Sequence, residues 1–213
     1  MTFKHIILIP LLCLLVLASC ENEDDTWSES YQLDFLELLT DTQGRATLAV
    51  TDRGDTLEVE NPVTSLKSDT LYRCVAFYVQ PANGKLNLRS VYSAISPFPS
   101  AMADREEHTD AVKIQSMWRG GRYVNMTLLI GGKEKTHYFA FKDKGTVENA
   151  DGSNTAHVLL YHDANGDMEA FSHTAYLSLP LYFYDNALQT GRDTVAFSLY
   201  VKEKGMQTYY FPL

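Results

Sequence analysis

The chain has 213 residues, 45% hydrophobic and 12% aromatic, and its 27 Asp and Glu against 18 Lys and Arg give a formal net charge of −9. An acidic excess of this size repels phosphate backbones and anionic lipid headgroups, so it argues against nucleic acid as a partner and against electrostatic docking on membranes. With 13 Tyr and 10 Phe among frequent Val, Leu and Thr, the composition favours strands over helices.

The amino terminus comes first. After Lys4 and His5 the run IILIPLLCLLVLA is too short and too near the start for a bilayer-spanning helix, which needs about 20 apolar residues. Residues 1–19 therefore read as a secretory signal peptide. Leu17, Ala18 and Ser19 stand directly before Cys20, the lipobox arrangement of bacterial lipoproteins. The small residues admit the peptidase, and the Cys20 thiol is the expected site of lipidation. Each buried methylene contributes about 0.8 kcal/mol, so several acyl chains hold a protein on a membrane for practical purposes irreversibly. Cys13 departs with the signal, which leaves Cys74 as the one unmodified thiol and rules out an intramolecular disulfide. The mature chain has 17 Lys and Arg against 27 Asp and Glu, a net of −10. Residues 20–30, with the run ENEDDTWSES, are polar and aperiodic and read as a lipidated tether.

Alternation begins at Tyr31. The runs YQLDFLELL, RATLAVTD, TLEVEN, LYRCVAFYVQ and LNLRSVYSAI are separated by DTQG, DRGD, SLKSD and PANGK, each carrying turn formers. Five strands in so short a stretch suit a small barrel over residues 31–97. Cys74, inside the fourth run, reads as a buried small hydrophobe. SPFPSAMADREEHTD breaks the rhythm and marks a domain boundary, after which residues 98–213 read as an antiparallel β-sandwich. In RYVNMTLLI, Val124, Met126, Leu128 and Ile130 share one face, as a sheet packed on a core requires. TAHVLLYHD, MEAFSHTAYLSLPLYFY, TVAFSLYVKE and TYYF supply the later strands.

Motifs that could carry chemistry are sparse. Asp163, Asn165 and Asp167 have the alternate spacing of a calcium loop, but Met168 stands where the loop needs glycine and Thr174 where it needs glutamate. Asn165-Gly166 between two alternating runs reads instead as a hairpin turn. His157 and His162 are an odd number apart on a strand and face opposite ways, while His137 and His173 stand isolated, so no metal and no cofactor is expected. No G-x-S-x-G, Cys-His couple or close carboxylate pair marks a nucleophile or acid, though folding could assemble two carboxylates. Trp118, Tyr209 and Tyr210 are candidates for a sugar-stacking platform, against the reading that Trp118 plugs the sandwich core. Thr56, Thr70 and Thr194 each follow an aspartate and precede an apolar residue, the pattern of a bacterial O-glycosylation acceptor.

SMWRGGRYVNMTLLI, HYFAF and VLLYHDANGD together resemble the carboxy-terminal domain of the NigD-like lipoproteins of Bacteroidota. LLTDTQGRATLAVTDRGDTLEVEN and YRCVAFYV resemble the same family's amino-terminal OB-type barrel. The resemblance implies an all-β chain, an OB-like five-stranded barrel followed by a β-sandwich, in an outer-membrane lipoprotein. Acidic residues behind the acylated cysteine resemble that group's surface-export signal, which implies the cell surface. The family's name comes from a bacteriocin gene cluster, and it brings no catalytic residues. The expected function is non-enzymatic binding of a glycan or an envelope protein, with a hydrolase of glycans or peptides, or a part in bacteriocin production or immunity, as alternatives.

Overall fold

The computed structural model describes residues 31–80, 83–102 and 107–213. The signal, Cys20 and the tether with Trp27 lie outside them. Strands β1 (Tyr31–Thr40), β2 (Ala46–Thr51), β3 (Thr56–Val63), β4 (Leu71–Val79) and β5 (Asn87–Ser93) coincide with the five alternating runs. They form one antiparallel sheet in the order β3-β2-β1-β4-β5. The sheet curls until its edges meet: the Glu60 N–H donates to the Leu86 carbonyl at 2.9 Å, and the Leu86 N–H to the Glu58 carbonyl at 2.8 Å. Leu36, Leu38, Ala49, Cys74, Ala76, Tyr78 and Leu86 fill the enclosed side. Burial among them pushes the Cys74 thiol up to about 12, so it is a packing group and not a nucleophile.

The remaining strands form a three-stranded sheet, β10-β7-β6, against a four-stranded one, β12-β11-β9-β8. In the first are β6 (Lys113–Gly120), β7 (Tyr123–Gly132) and β10 (Phe171–Pro180); in the second β8 (Tyr138–Glu148), β9 (Asn154–Asp163), β11 (Thr194–Val201) and β12 (Gly205–Pro212). Val124, Met126 and Leu128 of β7 meet Leu177 and Leu179 of β10 and Phe141, Val158, Phe197 and Leu199 of the facing sheet. Full burial of one such side chain contributes roughly 1.5–3 kcal/mol.

Two features depart from the expected sandwich. First, β9 and β11 pair in parallel, because β10 lies in the opposite sheet and the chain crosses back before β11. Second, MEAFSHTAYLSLPLYFY is not one strand. β10 ends at Pro180, which has no N–H to continue a ladder, and a 3₁₀ turn follows over Leu181–Tyr184. Asn165-Gly166 does make a tight turn, with φ of 54° and 60°, closed by the Asp167 N–H on the Ala164 carbonyl at 2.9 Å. The hairpin expected around it does not form, since β9 and β10 belong to different sheets.

In β1 and β4 the runs Phe35–Leu38 and Arg73–Ala76 are buried on both faces. One face looks into the barrel. The other looks at the sandwich, where Phe35, Val75 and Ala94 pack with Tyr176. The outward faces of β1 and β4 thus meet the outward faces of β7 and β10, and this junction holds the site.

Candidate functional site in the domain junction

Arg73 breaks an otherwise apolar strand, and its side chain is only 4% exposed. A guanidinium so placed must find partners, because an uncompensated buried charge is strongly unfavourable. Its Nη2 ion-pairs with Asp52 Oδ1 at 2.7 Å and donates to Asn125 Oδ1 at 2.8 Å, and its Nε donates to Ser178 Oγ at 3.1 Å. The Tyr123 ring lies beneath it, 3.9 Å from centroid to guanidinium. Asn125 Nδ2 donates to Asp52 Oδ2 at 2.5 Å, and Ser178 Oγ to Asn125 Oδ1 at 2.8 Å. Both oxygens of Asp52 are therefore committed. Burial raises its carboxyl above the ordinary value, against the opposing pull of Arg73 and Asn125.

A second knot lies alongside. Glu37 Oε1 accepts from the Tyr123 hydroxyl at 2.5 Å and from Arg122 Nη2 at 3.1 Å. Burial first, and the Glu37 carboxylate next, push the Tyr123 phenol well up. The β6–β7 turn fits because it has no side chains: a Cβ on Gly120 would overlap the Asp52 carboxylate and the Asn125 amide, and one on Gly121, at φ 53°, would overlap the Asp52 backbone.

Beside this network the junction opens into a cleft of two lobes with cavity volumes of about 470 and 340 Å³. Leu33, Phe35 and Trp118 border both. The first lobe adds Gln32, Asp34, Thr51, Asp52, Arg53 and Tyr78; the second adds Val75, Ser116, Thr127 and Tyr176 among residues without charge. Trp118 sits edge-on to Phe35 at 5.5 Å and is 42% exposed. This corrects the reading that Trp118 plugs the sandwich core. On β6, Met117 opposes Met126 and packs against the core, so alternation turns Trp118 outward across from the barrel. In the first lobe the Tyr78 hydroxyl lies 2.8 Å from Asp34 Oδ2 and 2.7 Å from Gln32 Oε1, while exposed Arg53 reaches Asp55 at 3.4 Å.

The other candidates are scattered. Tyr209 packs on the sandwich core while Tyr210, its neighbour on β12, is 65% exposed, so the two face opposite ways and form no common platform. Asp163 Oδ1 accepts from the Asn165 N–H at 2.7 Å, and Asp167 accepts from the Lys133 and Met168 N–H groups at 2.7 and 2.9 Å. Burial alone would raise the Asp167 carboxyl, but the backbone donors of Lys133, Glu134, Lys135 and Met168 outweigh it and hold it at about 2. These carboxylates tie loops. Folding pairs two histidines that the sequence left apart, His137 Nδ1 lying 2.9 Å from His162 Nε2, with Phe139 stacked on His162. Among the described residues no three His, Cys, Asp or Glu side chains converge as a metal site. Of the three threonine motifs, Asp55-Thr56 is exposed at both residues, Thr70 donates its hydroxyl to the Ser68 carbonyl at 2.8 Å, and Asp193 before Thr194 is only 2% exposed.

Sequence reasoning singled out Trp118 but not Leu33, Asp34, Asp52, Arg73 or Asn125. The legible signal was Arg73, a lone charge inside LYRCVAFYV.

A curled five-stranded sheet packed against a β-sandwich, with an aromatic-walled cleft between them, makes up this all-β chain. The model of the NigD-like C-terminal β-sandwich domain matches residues 95–213, and the chain belongs to the NigD-like family. It is similar to a NigD-like immunity protein from Bacteroides caccae, with 28% identity, coverage of 84% of this chain and 91% of that one, and a TM-score of 0.68. The fold is shared with a protein from Parabacteroides distasonis (17% identity, 86% and 93% covered, TM-score 0.66) and with a protein of unknown function from Bacteroides vulgatus (18%, 86% and 91%, 0.62). No curated protein matches the chain.

Proposed function

We propose that this protein is a non-catalytic, immunity-type lipoprotein of the outer membrane, anchored through Cys20 and displayed at the cell surface, which acts by binding a partner in the junction cleft. The carrying observation is the position of Trp118: a large ring left 42% exposed on a rigid strand between two lobes. Partly buried aromatic anchors of this kind dominate binding surfaces, because they offer much contact area at little conformational cost. The Bacteroides caccae relative supports the immunity-type role. Catalysis is disfavoured by Asp52, the carboxylate that borders the same lobe as Asp34. Both of its oxygens already accept hydrogen bonds or an ion pair from buried groups, so it is not placed to deliver or collect a proton. β1 begins at Tyr31 and borders the cleft from Gln32 onward, twelve positions after the proposed lipid site at Cys20.

The test is protection. A strain lacking the gene is challenged with bacteriocin preparations from related strains and complemented with wild type, Trp118→Ala or Cys20→Ser. Wild type restores tolerance, Trp118→Ala folds but does not protect, and Cys20→Ser leaves the membrane fraction. Full protection by Trp118→Ala, or turnover of any peptide or glycan by the pure protein, overturns the reading.

A further inference from the structure

Away from the junction, in the sandwich, the His137–His162 pair raises a question of proton number. His162 Nδ1 lies 2.8 Å from the Asp110 backbone carbonyl, an atom that only accepts, so this nitrogen carries a hydrogen. In a neutral ring His162 Nε2 is then the acceptor, and His137 Nδ1, 2.9 Å away, must donate to it. That leaves His137 Nε2 as a bare lone pair. It is buried without a hydrogen-bond partner, on a side chain only 6% exposed, and it faces Asp167 Oδ2, another acceptor, at 3.6 Å. A Cβ on Gly132 would stand 2.9 Å from Asp167 Oδ2 and 3.2 Å from His137 Nε2, so the glycine lets the two atoms face each other.

Acceptors thus stand at both ends of a chain of three contacts, Asp167 to His137, His137 to His162 and His162 to Asp110. Three contacts need three hydrogens, and two neutral imidazoles carry two. One added proton completes the chain at His137 Nε2, where the gap is. Burial above all holds His162 below the ordinary histidine value, which keeps the charge off that ring. Asp167, held at about 2, is ionised wherever a histidine titrates and serves as the counter-ion. The other charged groups nearby are engaged elsewhere. Lys135 Nζ donates to the Asn165 and Gly166 carbonyls at 3.0 Å, Lys133 Nζ lies 3.4 Å from Glu134, and His173 Nε2 lies 3.3 Å from the Gly132 carbonyl. Beside His162, Asp110 Oδ2 accepts from the Ala164 N–H at 2.6 Å and His108 lies 4.0 Å from Asp163.

We propose that the pair is a proton-operated clamp: one proton taken up at His137 Nε2 pins the β7–β8 loop to the β9–β10 connection through Asp167, and its loss sets a lone pair against a carboxylate and loosens both. Asp167 already holds that loop through the Lys133 and Glu134 N–H groups at 2.7 and 3.2 Å, so a disturbance of Asp167 reaches the loop directly. The clamp is closed on the acid side of the pair's titration, down to the titration of Asp167 itself, and opens as pH rises. It bounds a pocket of about 350 Å³ between Lys133, Lys135, Phe139 and His173, whose lining shares no residue with the junction cleft.

The experiment uses the full mature chain in detergent, labelled with ¹⁵N-histidine, and follows the ring nitrogens by NMR between about pH 5 and 8, the range in which histidine changes charge. At the acid end His137 should carry hydrogen on both nitrogens and His162 on Nδ1 alone; at the alkaline end His137 should keep only its Nδ1 hydrogen. The protection factor of the Lys133 amide should fall about tenfold over the same range, the effect of losing one charge-assisted hydrogen bond. In His137→Gln that fall should vanish. In Asp167→Asn, whose amide can supply the missing hydrogen, His137 should take its second proton only at lower pH. A His137 that gains no second proton in this range, a second proton on His162 instead, or a fall at Lys133 that survives His137→Gln overturns the proposal. The binding reading rests on Trp118 and protection, so it stands or falls by its own test.

Discussion

The network around Arg73 and the cleft around Trp118 are adjacent and are built from the same strands, yet they handle their junction surfaces in opposite ways. Around Arg73 the two domains bring charge, amide, hydroxyl and ring together until Asp52, Asn125 and Ser178 are all engaged. Around Trp118 the facing residues are Phe35, Leu33 and Tyr176, and the surfaces stop short of closing. A junction closed everywhere would be stable and inert, whereas one open everywhere would let the domains swing. The network supplies a fixed geometry, and the cleft uses it.

Substitutions can break this contrast in graded steps. Arg73→Met should cost the most, about 3 kcal/mol in urea unfolding, because it leaves the Asp52 carboxylate partly buried and without its cation. Adding Asp52→Asn should recover part of the loss, since the orphaned charge is then gone. Gly120→Ala should cost about 2 kcal/mol, as its methyl group forces Asp52 and Asn125 apart. Tyr123→Phe removes one hydrogen bond to Glu37 and should cost about 1 kcal/mol. Trp118→Ala should cost less than about 1 kcal/mol, its ring being half in water, while abolishing ligand binding. The opposite ranking, with Trp118→Ala more destabilising than Arg73→Met, would show that the cleft is structural.

Asp167 provides a control far from the junction, a carboxylate held by backbone donors instead of a cation. Its folded value of about 2 lies below the ordinary carboxylate value of about 3.9, so its contribution is present above pH 4 and is lost as pH falls through 4 toward 2. The protection factor of the Lys133 amide should fall over that window, and Asp167→Asn should leave that amide weakly protected throughout it. Acidification that releases Lys133 equally in both proteins would remove Asp167 as the cause.

Much of the fold could be read directly. All five barrel runs became strands, and Val124, Met126 and Leu128 point into a core as their alternation requires. The cleft could not be read in the same way. Trp118 looked like a core plug because a tryptophan on a strand commonly is one, and only its register against Asn125, with Met117 opposite Met126, shows which face it takes. The Asn165-Gly166 turn was visible while the sheets that it connects were not, because turn chemistry is local and strand partnership is not. His137 and His162 are 25 residues apart and meet only because β8 and β9 pair.

By itself the sequence determined where strands and turns fall and which face of each strand is apolar, since a period of two and a positive φ are properties of neighbouring residues. Only the tertiary structure decided what the other face meets. Asn125 and Ser178 are buried not by their own pattern but because a second domain covers them, bringing an arginine that must be neutralised. Leu33, Phe35 and Trp118 become one site for the same reason. Their side chains are held together by contacts between distant segments, and such contacts are set by how whole sheets pack and not by any spacing along the chain.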